Sequence, residues 1–392
     1  MTQPPSPRVQ AMLALRLVQG VGPRTLSALL DHFPDPQVVF DPRTSLEGVP
    51  GVSPAILDRI RLAARSTALG QELEALARGN ATLLARGEAG YPEQLVSLPG
   101  MPPLLYLVGD YLPADRRAVG LVGSRDATPY GRRMAQRLAT GLARAGYTVI
   151  SGLARGIDGV AHEAALEAGG RTLAVLANGL SGIYPPEHAD LAVRVQRAGG
   201  LFSEHPMAQK PQAGLFPSRN RLISALSLAV VVVEAQAKSG ALHTATHAAE
   251  QGRPLLAVPG PVDSPLSEGC NNLLREGAIL CRGLDDILEA IGAQPLPDPV
   301  AIPQMVTTAS PPVPRVVDIS QPSRPTAPPP GLAGQALEVW LMLGDGPLHL
   351  EVIASRLNLL PSQMMQVLFP MELSRQVRRI PGSKLERGDP RP

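Results

Sequence analysis

Five stretches gather the residue types that hold anions, and four of them follow short runs of apolar residues. After Ala118 to Val122 come Gly123, Ser124 and Arg125, then Thr128, Tyr130 and Gly131. After Ile150 comes the string Ser151, Gly152, Leu153, Ala154, Arg155, Gly156, Ile157, Asp158. Asn178 and Gly179 follow Leu176, and Glu234 follows Val233, with Lys238, Ser239 and Gly240 shortly after. Small residues let a backbone approach closely, amides at helix starts donate to an anion, and Arg125 can add a paired contact to a phosphate. The fifth stretch, Gly214 to Arg221, opens a helix and sets Phe216 beside Arg219, Asn220 and Arg221. Phenylalanine is scarce here, with 5 in the chain. A ring next to arginines at a helix entry suits stacking of an unpaired base with phosphate contacts alongside. The same residues also fit a second reading, in which Phe216 staples the helix to a core and Arg219 or Arg221 pairs with a carboxylate.

Other chemistries lack their residues. The first loop has one glycine and an arginine where a dinucleotide site needs a second glycine, and no phosphate-binding GxxxxGK[ST] string occurs. Neither Ser151 nor Ser239 sits in a G-x-S-x-G elbow with partners for a triad. Asp158 and His162 lie four apart on one expected helix face, as an acid–base pair or two metal ligands would. The plainer reading has Asp158 capping the helix and His162 bonded within the core. Cys270 and Cys281 have no neighbours in zinc spacing, so no metal, disulfide framework or cofactor is implied.

These loops need a scaffold that brings strand ends together. Strands are expected at Leu105 to Val108, Ala118 to Val122, Tyr147 to Ser151, Thr172 to Leu176, Leu201 to Ser203, Ala229 to Glu234, Leu255 to Val258 and Ile279 to Cys281. Most are continuous apolar runs separated by helical patterns, which predicts an α/β fold with a mostly parallel sheet covered on both faces. The helix expected over Arg132 to Ala145 shows the pattern, with Met134, Ala135, Leu138 and Leu142 on one side and Gly146 as its stop. In such sheets ligands bind beside the carboxyl ends of the strands, where these loops fall.

Four regions follow: a helical domain over 1–80, the α/β core over 81–292, a linker over 293–331, and a small domain over 332–392. The first carries two similar segments, Leu17 to Phe33 and Leu46 to Leu62, each with a Gly-Val turn ahead of a proline-started helix. This order suggests tandem helix-hairpin-helix (SAM-like) units, which either touch DNA phosphates through the turns or serve only as a packing module. The linker holds twelve prolines with no surviving period. The last region is expected to form helices at Gln335 to Leu343, Leu350 to Leu357 and Pro361 to Leu373, then extended pieces at Val377 to Ile380 and Ser383 to Leu385. That is the order of a winged helix. Its third helix has no basic residue before Arg375, which favours a protein-contact or structural role over groove reading.

With 392 residues the chain can bury more than one core, and its net charge of +2 does not by itself mark a nucleic-acid protein. Only Lys210, Lys238 and Lys384 of the 36 basic residues are lysine, a bias that either reflects planar phosphate recognition or merely genome composition. No long uncharged apolar run and no leader pattern is seen, so no membrane role and a cytoplasmic location are expected.

Taken together, the strings GSRDATPYG (123–131), SGLARGIDGVAHEAAL (151–166), NGLSGIYPPEH (178–188), SEHP (203–206), FPSRNRLISALS (216–227), VVVEAQAKSGALHTA (231–245), EQGRPLLAVPG (250–260) and EGCNNLLREGA (268–278) resemble the DNA-processing protein A (DprA/Smf) family. The resemblance implies an extended Rossmann domain that binds single-stranded DNA in a basic pocket, forms a homodimer and loads the RecA recombinase during natural transformation, with no catalytic residue. It places the family's pocket arginine on Arg125 and its pocket phenylalanine on Phe216. The pocket lysine of some members falls on Ala213 here, with Lys210 nearby as the available substitute. Possible duplex contact is left to the end domains. The alternative is a Rossmann-type nucleotide hydrolase resembling the phosphoribohydrolases, although the run Lys238 to Thr244 lacks the paired glycines and glutamate of their PGGxGTxxE motif.

Overall fold

The computed structural model describes residues 4–63, 66–292, 332–346, 348–357, 367–368, 370–372, 374, 376–380 and 384–387. The chain divides into two compact units, Met1–Ile302 and Pro303–Pro392.

The first unit begins with helices α1 (Pro7–Leu17), α2 (Pro23–His32), α3 (Pro54–Ala63) and α4 (Ala68–Arg78). Proline stands in the first turn of α1 and α2, where its missing N–H costs nothing. A sheet of nine strands follows: β1 (Ala81–Ala85), β2 (Leu104–Gly109), β3 (Ala118–Val122), β4 (Thr148–Ser151), β5 (Thr172–Val175), β6 (Gly200–Ser203), β7 (Ala229–Val232), β8 (Leu255–Ala257) and β9 (Ile279–Leu280). Its order is β1-β2-β6-β5-β4-β3-β7-β8-β9. All pairings from β6 through β9 are parallel, while β1–β2 and β2–β6 are antiparallel. Strands β3 to β7 are buried along their whole length, as strands covered on both faces must be.

The eight expected strands are all present within a residue or two, and β1 is an addition. Its sequence, ATLLA, has alanine at both ends and reads weakly as strand. Pairing with β2 in the register Leu83 opposite Tyr106 forms it nonetheless.

The connecting helices are α5 (Glu93–Val96), α6 (Pro129–Arg144), α7 (Ile157–Glu167), α8 (Ala189–Ala198), α9 (Leu215–Ala225), α10 (Ala241–Glu250), α11 (Glu268–Arg275) and α12 (Leu284–Ala290). Leu138, Leu142 and Ala139 of α6 and Ala161, Ala164 and Ala165 of α7 cover one face against Val119, Val149 and Val231. Leu222, Ile223 and Leu226 near the end of α9 and Ala245 and Ala248 of α10 cover the other, against Val122, Ile150 and Val232. Burying each such leucine or valine contributes about 1.5–3 kcal/mol. The helical segment does not stand apart: Met12, Leu13, Leu26 and Leu76 share one core with Tyr106, Leu176, Leu201 and Val195.

In the second unit, α13 (Gly334–Met342), β10 (Leu348–His349), α14 (Leu350–Leu357), β11 (Val377–Ile380) and β12 (Lys384–Arg387) are described. The strands pair in the order β10-β12-β11, and Trp340, Ile353, Leu368 and Leu385 form the core. The helix–helix–wing order is that of a winged helix. Most of the expected third helix, Pro361 to Leu373, and the whole linker lie outside the described residues.

Candidate nucleic-acid interface

The sheet order places the site. From β3 the chain winds outward through β4, β5 and β6, then returns to the other side of β3 with β7, β8 and β9. The loops after β3 and β7 therefore diverge and leave a crevice at the carboxyl edge, the position where open parallel sheets bind ligands. A cavity of ≈ 590 Å³ lies there. Gly123, Ser124 and Arg125 form one wall, Ser239 and Gly240 the wall opposite, and Phe216, Arg219 and Asn220 of α9 close the third side.

Two bonding sets shape the walls. The Ser124 amide donates to the Glu234 carbonyl (2.6 Å), and both Glu234 carboxylate oxygens accept from Thr128, one from its amide (2.8 Å) and one from its hydroxyl (2.6 Å). Thr128 in turn caps α6 by accepting from the Gly131 amide (3.1 Å). On the other wall the Asn220 amide group donates to the Gly240 carbonyl (3.1 Å), tying α9 to the loop after β7. Beneath the first wall, Gly156 has φ +73°, and a Cβ there would lie 2.2 Å from the Ser124 carbonyl oxygen. Only glycine lets the loops after β3 and β4 touch.

The mouth carries a ridge of charge and rings. Arg125 is exposed, with its Cζ 5.3 Å from the centroid of the half-buried Phe216 ring. Tyr184 meets the same ring edge-on, with centroids 5.7 Å apart and planes at 61°. A guanidinium within about 6 Å of a ring face is held by the ring quadrupole, and the whole ridge offers π-faces to a base. Tyr184 was not singled out from the sequence, although it is one of 6 tyrosines and lies in the string 178–188. Its contact with Phe216 is tertiary, which no local pattern announces.

The other expected contact residues divide. Arg155 and Gly152 border a smaller recess beside the ridge, which they share with Arg125, Tyr184 and Phe216. Lys210 is exposed just before the lining residues Pro211 to Ala213, and Lys238 is exposed between the lining residues Gln236 and Ser239; neither lines the crevice itself.

Three of the expected contact residues spend their polar groups inside the fold. Ser151 is fully buried and spends its hydroxyl on the Leu121 carbonyl (2.6 Å). Arg221 pairs with Glu204, a carboxylate 3 % exposed, and so anchors α9 rather than facing the crevice. Arg219 reaches the crevice floor but is 4 % exposed, and its Nη1 donates to the carbonyls of Gly152 (2.8 Å) and Val175. Gly152 exists for this contact, since a Cβ there would collide with the guanidinium at 2.1 Å.

The buried carboxylates of the crevice are occupied too. Asp158 accepts from the amides of Gly152 (3.0 Å) and Ala154 (3.4 Å). Burial raises its pKa, and the Arg219 charge and these donors oppose the rise. Burial likewise lowers Arg219 to about 10. His162 does not pair with Asp158. Its Nδ1 lies 2.7 Å from the Thr172 hydroxyl, which itself donates to the Val149 carbonyl, so Nδ1 carries the proton. Burial lowers the His162 pKa to about 3, which keeps the ring neutral. Among the described residues no group of three or more His, Cys, Asp or Glu could hold a metal ion.

The family model described as DNA recombination-mediator protein A matches residues 82–292, and that described as the DprA winged helix domain matches 323–383. The chain is 38 % identical over 291 residues to the Protein Smf of Synechocystis sp., covering 73 % of each chain. It is 39 % identical over 259 residues to the DNA processing protein DprA of Bacillus subtilis, covering 64 % of this chain and 87 % of that one. Among solved structures it is similar to the X-ray structure of DNA processing protein A from Streptococcus pneumoniae, with a TM-score of 0.63 and 30 % identity over 71 % of this chain and 96 % of that one.

Proposed function

Because the chain belongs to the DNA recombination-mediator protein A family, we propose that it grips single-stranded DNA along the carboxyl-edge crevice of its sheet and delivers that strand to RecA. The observation that carries this reading is the open crevice of ≈ 590 Å³ with the Arg125–Phe216–Tyr184 ridge at its mouth. Rings at the rim with a cation beside them suit unpaired bases and their phosphates, whereas a duplex keeps its bases stacked away from such rings. The carboxylates of Glu234 and Asp158, which a hydrolase of nucleotides would need as acid or base, are bonded to Thr128 and to backbone amides.

The homodimer fits the far edge of the sheet. Among the described residues β9 pairs only with β8, and its Ile279 and Leu280 are 42 % and 44 % exposed. A two-residue apolar edge strand left open is a pairing surface, and a second copy of the chain would cover it. The protein then acts in the cytoplasm, where RecA works. Among the described residues no helix is long and apolar enough to cross a membrane.

Titration of the whole chain with labelled oligothymidylate and with duplex of equal length, at two salt concentrations, tests the reading. Arg125, Lys210 and Lys238 are exposed cations near the crevice that take part in no ion pair among the described residues. Three phosphates at roughly 0.7 each give a slope of log K against log salt near −2 for single strands. Tighter binding to duplex, or affinity indifferent to salt, would contradict it. Faster assembly of RecA on strands coated with single-strand binding protein is the expected second result.

A further inference from the structure

The small recess beside the ridge holds a cation that is already occupied. Arg155 is half exposed, borders this recess with Arg125, Tyr184 and Phe216, and is bonded through its Nε to Glu187. The Glu187 side chain is 49 % exposed, so the pair is open to solvent and to anything lying across the ridge. Its backbone is fixed: the neighbouring His188 bonds through Nδ1 to the Leu153 carbonyl (2.9 Å), pinning the turn Pro186–His188 onto the loop after β4. Rotation of the glutamate side chain frees Arg155 of its carboxylate partner without moving that backbone.

We propose that Glu187 is an exchangeable counter-ion, standing in for a backbone phosphate on Arg155, and that a bound strand leaving the crevice over Tyr184 displaces it. This rests on the reading of the crevice as a single-strand site and extends it by one phosphate step. The chemistry is a swap of one oxyanion for another on the same guanidinium, with no bond made or broken. A phosphate matches the guanidinium fork at least as well as a carboxylate does. Glu187 therefore taxes binding, and it also keeps other anions off Arg155 when no strand is present.

The test is a set of affinities for oligothymidylate with the full-length chain, each variant checked by thermal melting. Glu187→Gln is expected to tighten binding about two- to fivefold, the range set by an exposed ion pair. The gain is expected to vanish in an Arg155→Gln background. Glu163→Gln, which removes the carboxylate of a similarly exposed pair with Arg194, is the control for bulk charge and is expected to change nothing. No gain from Glu187→Gln, an equal gain from Glu163→Gln, or a gain that persists without Arg155 would each overturn the proposal. Arg125→Glu separates the two claims. If it abolishes binding while Glu187→Gln has no effect, the crevice stands and only the counter-ion fails; if it leaves binding intact, the reading of the crevice itself fails.

Discussion

Replacing Arg219 with methionine should cost stability rather than a DNA contact. The guanidinium is 4 % exposed, donates to two carbonyls at the ends of β4 and β5, and is the cation whose charge acts on the buried Asp158. Methionine fills much of the volume but leaves two carbonyls and a carboxylate without their cation. Removing one member of a buried charge set costs about 3–5 kcal/mol. At roughly 2–4 °C per kcal/mol for a unit of this size, the melting temperature should fall by about 6 °C or more. The loss should grow with pH. Burial holds the Asp158 pKa above its unfolded value, so the folded state keeps the proton longer, and stability from that group is present below the unfolded value and lost as pH rises through the folded one. Without Arg219 the folded value climbs further. Calorimetry at pH 5.5 and pH 8 should show the larger deficit at pH 8, and Asp158→Asn in the same chain should recover part of it. A variant that melts with the wild type yet no longer binds DNA would refute this and put the guanidinium on the strand.

Other outcomes follow from the same geometry. Gly156→Ala forces a side chain into φ +73° and onto the Ser124 carbonyl, so denaturant titration should show a loss of roughly 2 kcal/mol or more, with weaker DNA binding because the Arg125 loop moves. Phe216→Ala should lower oligonucleotide affinity by about 5- to 150-fold, equivalent to roughly 1–3 kcal/mol of stacking, with little change in melting because the ring is half-buried at the second residue of α9. If the proposed dimer forms over β9, the wild type should sediment as a dimer and Leu280→Arg, at that sheet edge, as a folded monomer.

The sheet was legible because β3 (AVGLV) and β7 (AVVV) are apolar without interruption, a pattern that only strands covered on both faces sustain at that length. The crevice was legible because its walls are the loops directly after those strands. The string 216–221 leaves two readings of Arg219 open, and its position in α9 decides how far it is buried. Arg219 lies three and four residues before Leu222 and Ile223, which puts it on the buried side of α9. Arg221 needed Glu204, and Phe216 needed Tyr184, partners from other loops that no spacing within α9 could reveal. Asp158 and His162 show the same limit, since their bonds run to the loop after β4 and to Thr172 of β5.

Photo-crosslinking places the strand most directly. Oligothymidylate carrying 5-iodouracil, bound to the full chain and irradiated, should attach to peptides holding Phe216 and Tyr184, and the adducts should weaken in Arg125→Glu. Adducts confined to the winged helix or to helices α1–α4, with the crevice peptides unmodified, would contradict the assignment of the crevice as the single-strand site.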